Sequence, residues 1–256
     1  MYVEPVSLAP GVDAWFSGRA PEAADAPPIG AAGNLSHRRP HRPEDLARTR
    51  AAFGALTGTD PARWHLMAQV HGRDVAIVGP DTPAGAELRD VDAVVTALAD
   101  APLVVQVADC VPVLLAGATA VGAVHAGRRG VAEGVVAAAI DAMVGLGDDR
   151  GAIGAVIGPA IGGCCYELPA ASRDEIAGSI PAAAATTTWG TPALDLPAAV
   201  VVQLHDAGVS DVRRVGGCTR CDPDRRWFSH RADATTGRQV GLVVRRATSP
   251  SGEVAV

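Results

Sequence analysis

Between Asp74 and Gly127 five short valine-rich runs, DVAIVG, VDAVVTAL, LVVQVA, VPVLLAG and VGAVHAG, follow one another with only turns between them. β-Branched side chains are stiff at χ1 and pack well on a pleated surface, so each run predicts a strand. A parallel crossover needs about a dozen intervening residues. Strands this close therefore predict hairpins or a meander rather than strict βαβ alternation.

Helical patterns flank this block. RPEDLARTRAAFGAL predicts a helix: Pro43 suits its first turn, Glu44 and Asp45 its positive end, and Leu46, Phe53 and Leu56 one face. VAEGVVAAAIDAMVGLG predicts another, buried through Val131, Val135, Ile140 and Met143. GAVIGPAIG reads as a strand and tight turn, PAASRDEIAGSI and PAAVVVQLHDAG as helices, and RRV, RWFSH and QVGLVVRR as closing strands. The sum is a mixed α/β sandwich in a single domain over residues 34–247. A loop-rich segment, residues 1–33 with GRAPEAADAPPIGAAG, leads into it, and residues 248–256 form a tail.

Composition bounds the chemistry. The 256 residues are 48% hydrophobic and 20% charged, as in ordinary globular proteins. No run approaches the roughly 20 apolar residues of a membrane span, and the N-terminus lacks a basic start, so the expected location is the cytoplasm. A net charge of −6 argues against nucleic acid or a membrane surface as partner. All 22 basic residues are arginine. Without lysine there is no Walker-type phosphate loop and no Schiff-base side chain. An anionic substrate group must then be held by arginine, backbone amides or a metal. Five cysteines in a chain this long point to reduced thiols rather than a disulfide scaffold.

Three residues interrupt the apolar runs. His71 and His125 lie 54 apart, with Cys110 between them, 15 before His125. Zinc accepts imidazole nitrogen and thiolate, and a catalytic zinc keeps three protein ligands with one open position. The spacing is too wide for a finger but natural if the three end neighbouring strands. A histidine or cysteine in a β-run is equally read as a satisfied core residue. Asp109, beside Cys110, is placed to orient a ligand or take a proton.

The ordered set NLS (from Asn34), QVHG, DAVVT, ADCVPVLL, VHAGRRG, IGPAIG followed by CYEL, LDL, CT and FSHR with TTGRQ resembles the bacterial polyphenol-oxidase-like or laccase-domain family, the YfiH family. The resemblance spans roughly residues 30–245. It implies a four-layer α/β/β/α sandwich, related to the deamidase domain of cytotoxic necrotizing factor. It also implies a zinc enzyme that cleaves adenosine, inosine, guanosine or methylthioadenosine with phosphate, in some members also deaminating adenosine. The family's ligand positions fall on His71, Cys110 and His125. Arg129 follows a ligand strand at a helix start and is the first candidate to hold phosphate. Arg50 matches a family arginine and His230 a motif histidine; with Asp109 they complete the catalytic candidates. Asn34, Gln69, Arg231 and Arg238 are the substrate-binding candidates. Two departures stand out: Arg128 replaces a tryptophan of HAGWRG, and Pro40–His41 replace Gly-Asp.

Other clusters compete. CTRC (Cys218, Cys221) and GGCCYE (Cys164, Cys165) offer four thiols for a structural zinc, but adjacent cysteines fit tetrahedral chelation less well than a second CxxC, and packing suffices to explain them. His37 and His41 read as surface-loop residues, and His65 and His205 as unremarkable. Three other functions remain open: copper-dependent phenol oxidation, for which seven scattered histidines are too few; a peptidoglycan-precursor editing factor; and a Cys110 nucleophile with a histidine base.

Overall fold

The computed structural model describes residues 1–19, 33–85 and 87–247. The first strands are β1 (Val3–Ala9), β2 (Val12–Ser17), β3 (Leu66–Ala68), β4 (Val75–Ile77) and β5 (Glu87–Arg89). Next come β6 (Ala93–Thr96), β7 (Leu103–Val107), β8 (Val111–Ala116), β9 (Val121–Ala126) and β10 (Gly154–Ile157). The last are β11 (Ala184–Thr186), β12 (Pro192–Leu194), β13 (Asp211–Arg214) and β14 (Gln239–Arg245). The helices are α1 (Pro43–Thr57), α2 (Arg128–Glu133), α3 (Val135–Gly145), α4 (Ala170–Ala177) and α5 (Leu196–Asp206).

Two sheets form the body, one ordered β1-β2-β14-β7 and the other β13-β10-β8-β9-β6-β4. The period-two alternation of strands sorts their residues into layers. Val105 and Val107 of β7 and Val243 of β14 join Phe16, Val94, Leu114, Val121 and Ala123 between the sheets. Val104, Val240, Leu242 and Val244 face the other way, onto Phe53 of α1 and Trp64. On the far side Val113, Leu115, Val124 and Val95 pack against Val135, Ala139, Ile140 and Met143 of α3 and Val200 and Leu204 of α5. The order of layers is thus helix, sheet, sheet, helices: the α/β/β/α sandwich.

Several elements depart from the sequence reading. Residues 1–17 are not loop but the β1–β2 hairpin, whose second strand pairs with β14. Pro5 masked it, yet β1 is an edge strand, where a missing amide costs nothing. The rest of that segment, residues 20–32, and the tail 248–256 lie outside the described residues. The five runs do not form a meander: β8 and β9 are a hairpin, but β7 leaves for the other sheet and β4 runs parallel to β6. RWFSH is not a strand. Trp227 and Phe228 are buried, but Phe228 finds its partner in the Gln239 side chain, which accepts from its amide at 2.6 Å. Leu56 of α1 is 62% exposed rather than on the buried face. The long helix predicted from Val131 is broken at Gly134, whose φ of 84° belongs to the left-handed region.

Candidate metal centre and cavity

Strand parity explains the centre. In β6, β8 and β9, neighbours in the six-stranded sheet, Val94, Leu114 and Ala123 face the inter-sheet layer. Counting by twos along each strand puts Asp92, Cys110 and His125 on that same face, at one end of the sheet. His125 lies within β9, Cys110 immediately precedes β8, and Asp92 immediately precedes β6. His71 comes from the turn between β3 and β4, with φ of 63°. Only one of the three expected ligands therefore ends a strand from within it.

The donor atoms of His71, Cys110 and His125 lie within 4.8 Å of one another. Cys110 Sγ stands 3.7 Å from His71 Nε2, and the two imidazoles meet edge-on with centroids 4.7 Å apart. His71 is exposed, Cys110 half-buried and His125 buried. Gly127, next to the end of β9, admits this approach: a Cβ there would stand 2.7 Å from His71 Cδ2.

Asp92, fully buried, holds the centre together, and sequence reasoning missed it. One oxygen lies 2.7 Å from His125 Nδ1, and the carboxylate accepts from the amides of Val70, His71 and Gly72. An ionised carboxylate only accepts, so His125 Nδ1 carries a proton and Nε2 is left for the centre. The available signal was an acid heading the fully apolar run DAVVT, since buried aspartates are almost always paired.

Electrostatics favour charged forms here. Burial pushes the Cys110 thiol up, but the neighbouring His125 and His71 outweigh it and bring the thiol to about 6. Burial likewise opposes the charge on His125, yet Cys110 and Asp92 raise it to about 9. Burial alone would raise the Asp92 carboxyl; hydrogen bonds from His125 and the Gly72 and His71 amides hold it below the ordinary range.

The centre opens on a cavity of about 740 Å³. Six arginines line it, Arg38, Arg39, Arg128, Arg129, Arg231 and Arg238, with one lining acid, Asp109; of the six, Arg38 is forked onto the Glu87 carboxylate and Arg129 is paired with Glu133. In a chain with net charge −6 this is a concentrated positive wall. Gln69, Gln106, Tyr166 and His230 also line it. Burial, then Cys110, raises the Tyr166 hydroxyl.

The predicted site residues separate into groups. Gln69 lines the cavity but its amide exchanges hydrogen bonds with the Gln106 backbone at 2.8 and 2.9 Å. Asp109, with φ of 88°, also lines it; its oxygens accept from Thr219 Oγ1 and the Arg231 amide, both at 2.6 Å. Arg129 donates to the carbonyls of His71 and Val70 and so clamps the ligand turn. Arg231 donates to the Glu167 carbonyl at 2.8 Å and lies over the Tyr166 ring. Arg238 donates to the carbonyls of Thr236 and Gly237, and His230 is exposed at the rim. Arg50 and Asn34 do not line the cavity. Arg50 donates twice to the Leu35 carbonyl, and buried Asn34 accepts from the amides of Ser36 and Arg238. Both shape the loop that carries Arg38 and Arg39. Neither of those arginines, nor Tyr166, was singled out from sequence.

The remaining four cysteines also converge: the sulfurs of Cys164, Cys165, Cys218 and Cys221 lie within 4.8 Å of one another. Among the described residues no helix is long and apolar enough to cross a membrane.

Comparison with known proteins agrees with this architecture. A purine nucleoside phosphorylase of Streptomyces griseus is 50% identical over 203 residues, covering 78% of this chain and 82% of its own length. One from Mycobacterium tuberculosis is 43% identical over 212 residues, covering 82% and 83%. Among solved structures, YlmD of Geobacillus stearothermophilus superposes with a TM-score of 0.83 at 29% identity, covering 93% of each chain. YfiH of Bacillus licheniformis gives 0.82 at 26% identity, covering 92% and 93%. A family model described as multi-copper polyphenol oxidoreductase laccase matches residues 13–246. The chain belongs to this laccase-like family, the YfiH family.

Proposed function

We propose that the protein is a zinc-dependent purine nucleoside phosphorylase acting on adenosine, inosine, guanosine or methylthioadenosine. One observation carries the reading: two imidazoles and a low-pKa thiol meet at one end of a cavity whose wall is arginine. Relatives at 43 to 51% identity bear the same activity in their names.

The donor set suits zinc, with His71, Cys110 and His125 as three ligands and the carboxylate of Asp92 behind one of them. A multicopper set needs more imidazoles than the two of seven that stand here. When bound, the ion supplies a Lewis acid that polarises an oxygen donor.

The chain's own residues do the rest. Phosphate is held by the guanidiniums of Arg39 and Arg238, whose planar forks match its oxygens, while the fork of Arg38 is taken by Glu87. Its oxygen forms the new bond to the ribose anomeric carbon as the glycosidic C–N bond breaks and its electron pair leaves with the base. His230, exposed at the rim, stands where it can deliver a proton to that base. Asp109 and Arg129 act as positioning residues, one fixing the loop of Arg231, the other the turn of His71. Arg128, at the position of the tryptophan in the HAGWRG motif that this stretch resembles, adds charge beside Tyr166 in place of an aromatic wall.

The test is to incubate metal-analysed protein with adenosine or inosine, with and without phosphate, and to separate free base, inosine and ribose 1-phosphate. Base and ribose 1-phosphate that form only with phosphate are the expected result. Metal-loaded protein releasing no base from any of the four nucleosides would sink it, and inosine formed from adenosine without phosphate would mark a deaminase instead.

A further inference from the structure

The four cysteines away from the cavity form a second cluster that the proposed reaction does not use. Cys164 and Cys165 sit in the turn after β10, Cys218 and Cys221 in the turn after β13. Sequence reasoning disfavoured chelation because two of the four are adjacent. The turn removes that objection. The amides of Cys165 and Tyr166 both bond the Gly162 carbonyl, at 2.9 and 3.0 Å, and in this tight bend both thiols reach the same cluster. Cys164 Sγ and Cys221 Sγ stand 3.7 Å apart, and no pair of the four is joined as a disulfide. A tetrahedron of sulfurs each about 2.3 Å from a zinc ion has edges of about 3.8 Å.

The surroundings of Cys218 suit a thiolate. The Gly162 amide donates to Cys218 Sγ at 3.3 Å, and the amides of Arg220 and Cys221 are directed at the same sulfur. Donors of this kind stabilise metal-bound thiolates and fix their orientation. Arg220, within the CxxC, lays its guanidinium over the Trp189 ring at 4.9 Å.

We infer that Cys164, Cys165, Cys218 and Cys221 form a second, closed, tetrathiolate site for a structural divalent zinc-like cation. Binding releases the thiol protons to solvent and involves no redox change. The site has a mechanical consequence. Tyr166 follows Cys165 directly, and Thr219, inside the CxxC, holds Asp109. Arg231, beyond the CxxC, bonds Glu167. The cation would therefore staple two segments more than 50 residues apart in sequence that together build one wall of the cavity (Cys164 to Cys221 spans 57).

The test uses full-length protein purified under reducing conditions without chelator, reconstituted with zinc and analysed by native mass spectrometry and elemental analysis. Two zinc ions per chain are expected, with one lost in C218S/C221S and a different one lost in C110S. Cobalt(II) loading should give intense thiolate-to-metal charge-transfer absorption that C218S/C221S loses and C110S largely keeps. A single ion that disappears in C110S and persists in C218S/C221S overturns the site. A single ion with the opposite pattern supports it while removing the metal from the proposed reaction. Should C218S/C221S fail to fold, alkylation mapping of the wild type decides. Protection of all four thiols by zinc, reversed by chelator, supports the site; equal alkylation with and without zinc overturns it, as does a disulfide among them that persists under reductant.

Discussion

Asp92 shows how much one buried carboxylate can organise. It sets the tautomer of His125 and ties down the backbone of the turn that carries His71. Replacing it with asparagine keeps the volume but weakens both functions. Asp92→Asn should lower affinity at the three-ligand centre by roughly 10–100-fold, as loss of such outer partners generally does. Competition with a chelator measures this, and an unchanged affinity would mean that the ligands are held by packing alone. Asp222 plays a comparable part remote from the centre. Its side chain is buried and accepts from the Arg226 guanidinium and amide. Those bonds, with the Arg226 hydrogen bond foremost, hold its carboxyl below the ordinary range. A depressed folded-state pKa gives stability that is complete above the unfolded value, about 3.9, and is lost as pH falls through the folded one. Asp222→Asn should thus cost about 1–3 kcal/mol at neutral pH, with the gap to wild type closing in acid. Urea titrations across that range test it; a constant gap would show that the carboxylate's charge is irrelevant.

At the scale of elements, Gly134 is the point where one predicted helix becomes two. Its φ of 84° ends α2 and starts α3, and a Cβ there would meet nothing within 4 Å. Gly134→Ala therefore isolates the backbone cost, about 1–2 kcal/mol for a left-handed alanine. A thermal or denaturant midpoint unchanged by the substitution would show that the two helices can join without penalty. The break was invisible in VAEGVVAAAIDAMVGLG because a glycine inside an apolar period reads as tolerated. The strands were legible where β-branched residues cluster; His71, Cys110 and His125 stood out as polar atoms in or beside apolar runs, but only the family resemblance joined them into one ligand set. Which sheet each strand joins was not legible. Valines of β7 and β8 look alike, and only the packed partner layer decides that one leaves for β14 while the other pairs with β9. For the same reason the Asp92 pairing and the four-cysteine cluster were hidden: both join residues brought together by sheet order rather than by spacing. Arg50 and Asn34 illustrate the converse. Their motif positions are real features of the pattern, but the folded chain uses them to brace a loop.

For the whole molecule, charge is distributed against the average. An acidic protein carries six arginines around one concavity. Its field should draw in small anions, and the attraction should weaken as salt shortens the Debye length, about 8 Å at physiological strength. Arg238→Ala should raise KM for phosphate roughly 10–100-fold, the worth of a hydrogen bond to a charged group, while KM for nucleoside changes little. Equal changes in both would place Arg238 elsewhere in the reaction. A last consequence follows from the pairing of β2 with β14. Phe16, on β2, packs against its register partner Gly241 on β14 and, across the layer between the sheets, against Gly158 just beyond β10. During synthesis on the ribosome the β1–β2 hairpin is made long before its partner strand β14 emerges. Vectorial translation therefore leaves an aromatic side chain and an open strand edge waiting for some two hundred residues (Ser17 to Gln239), a stretch in which a chaperone has something to hold.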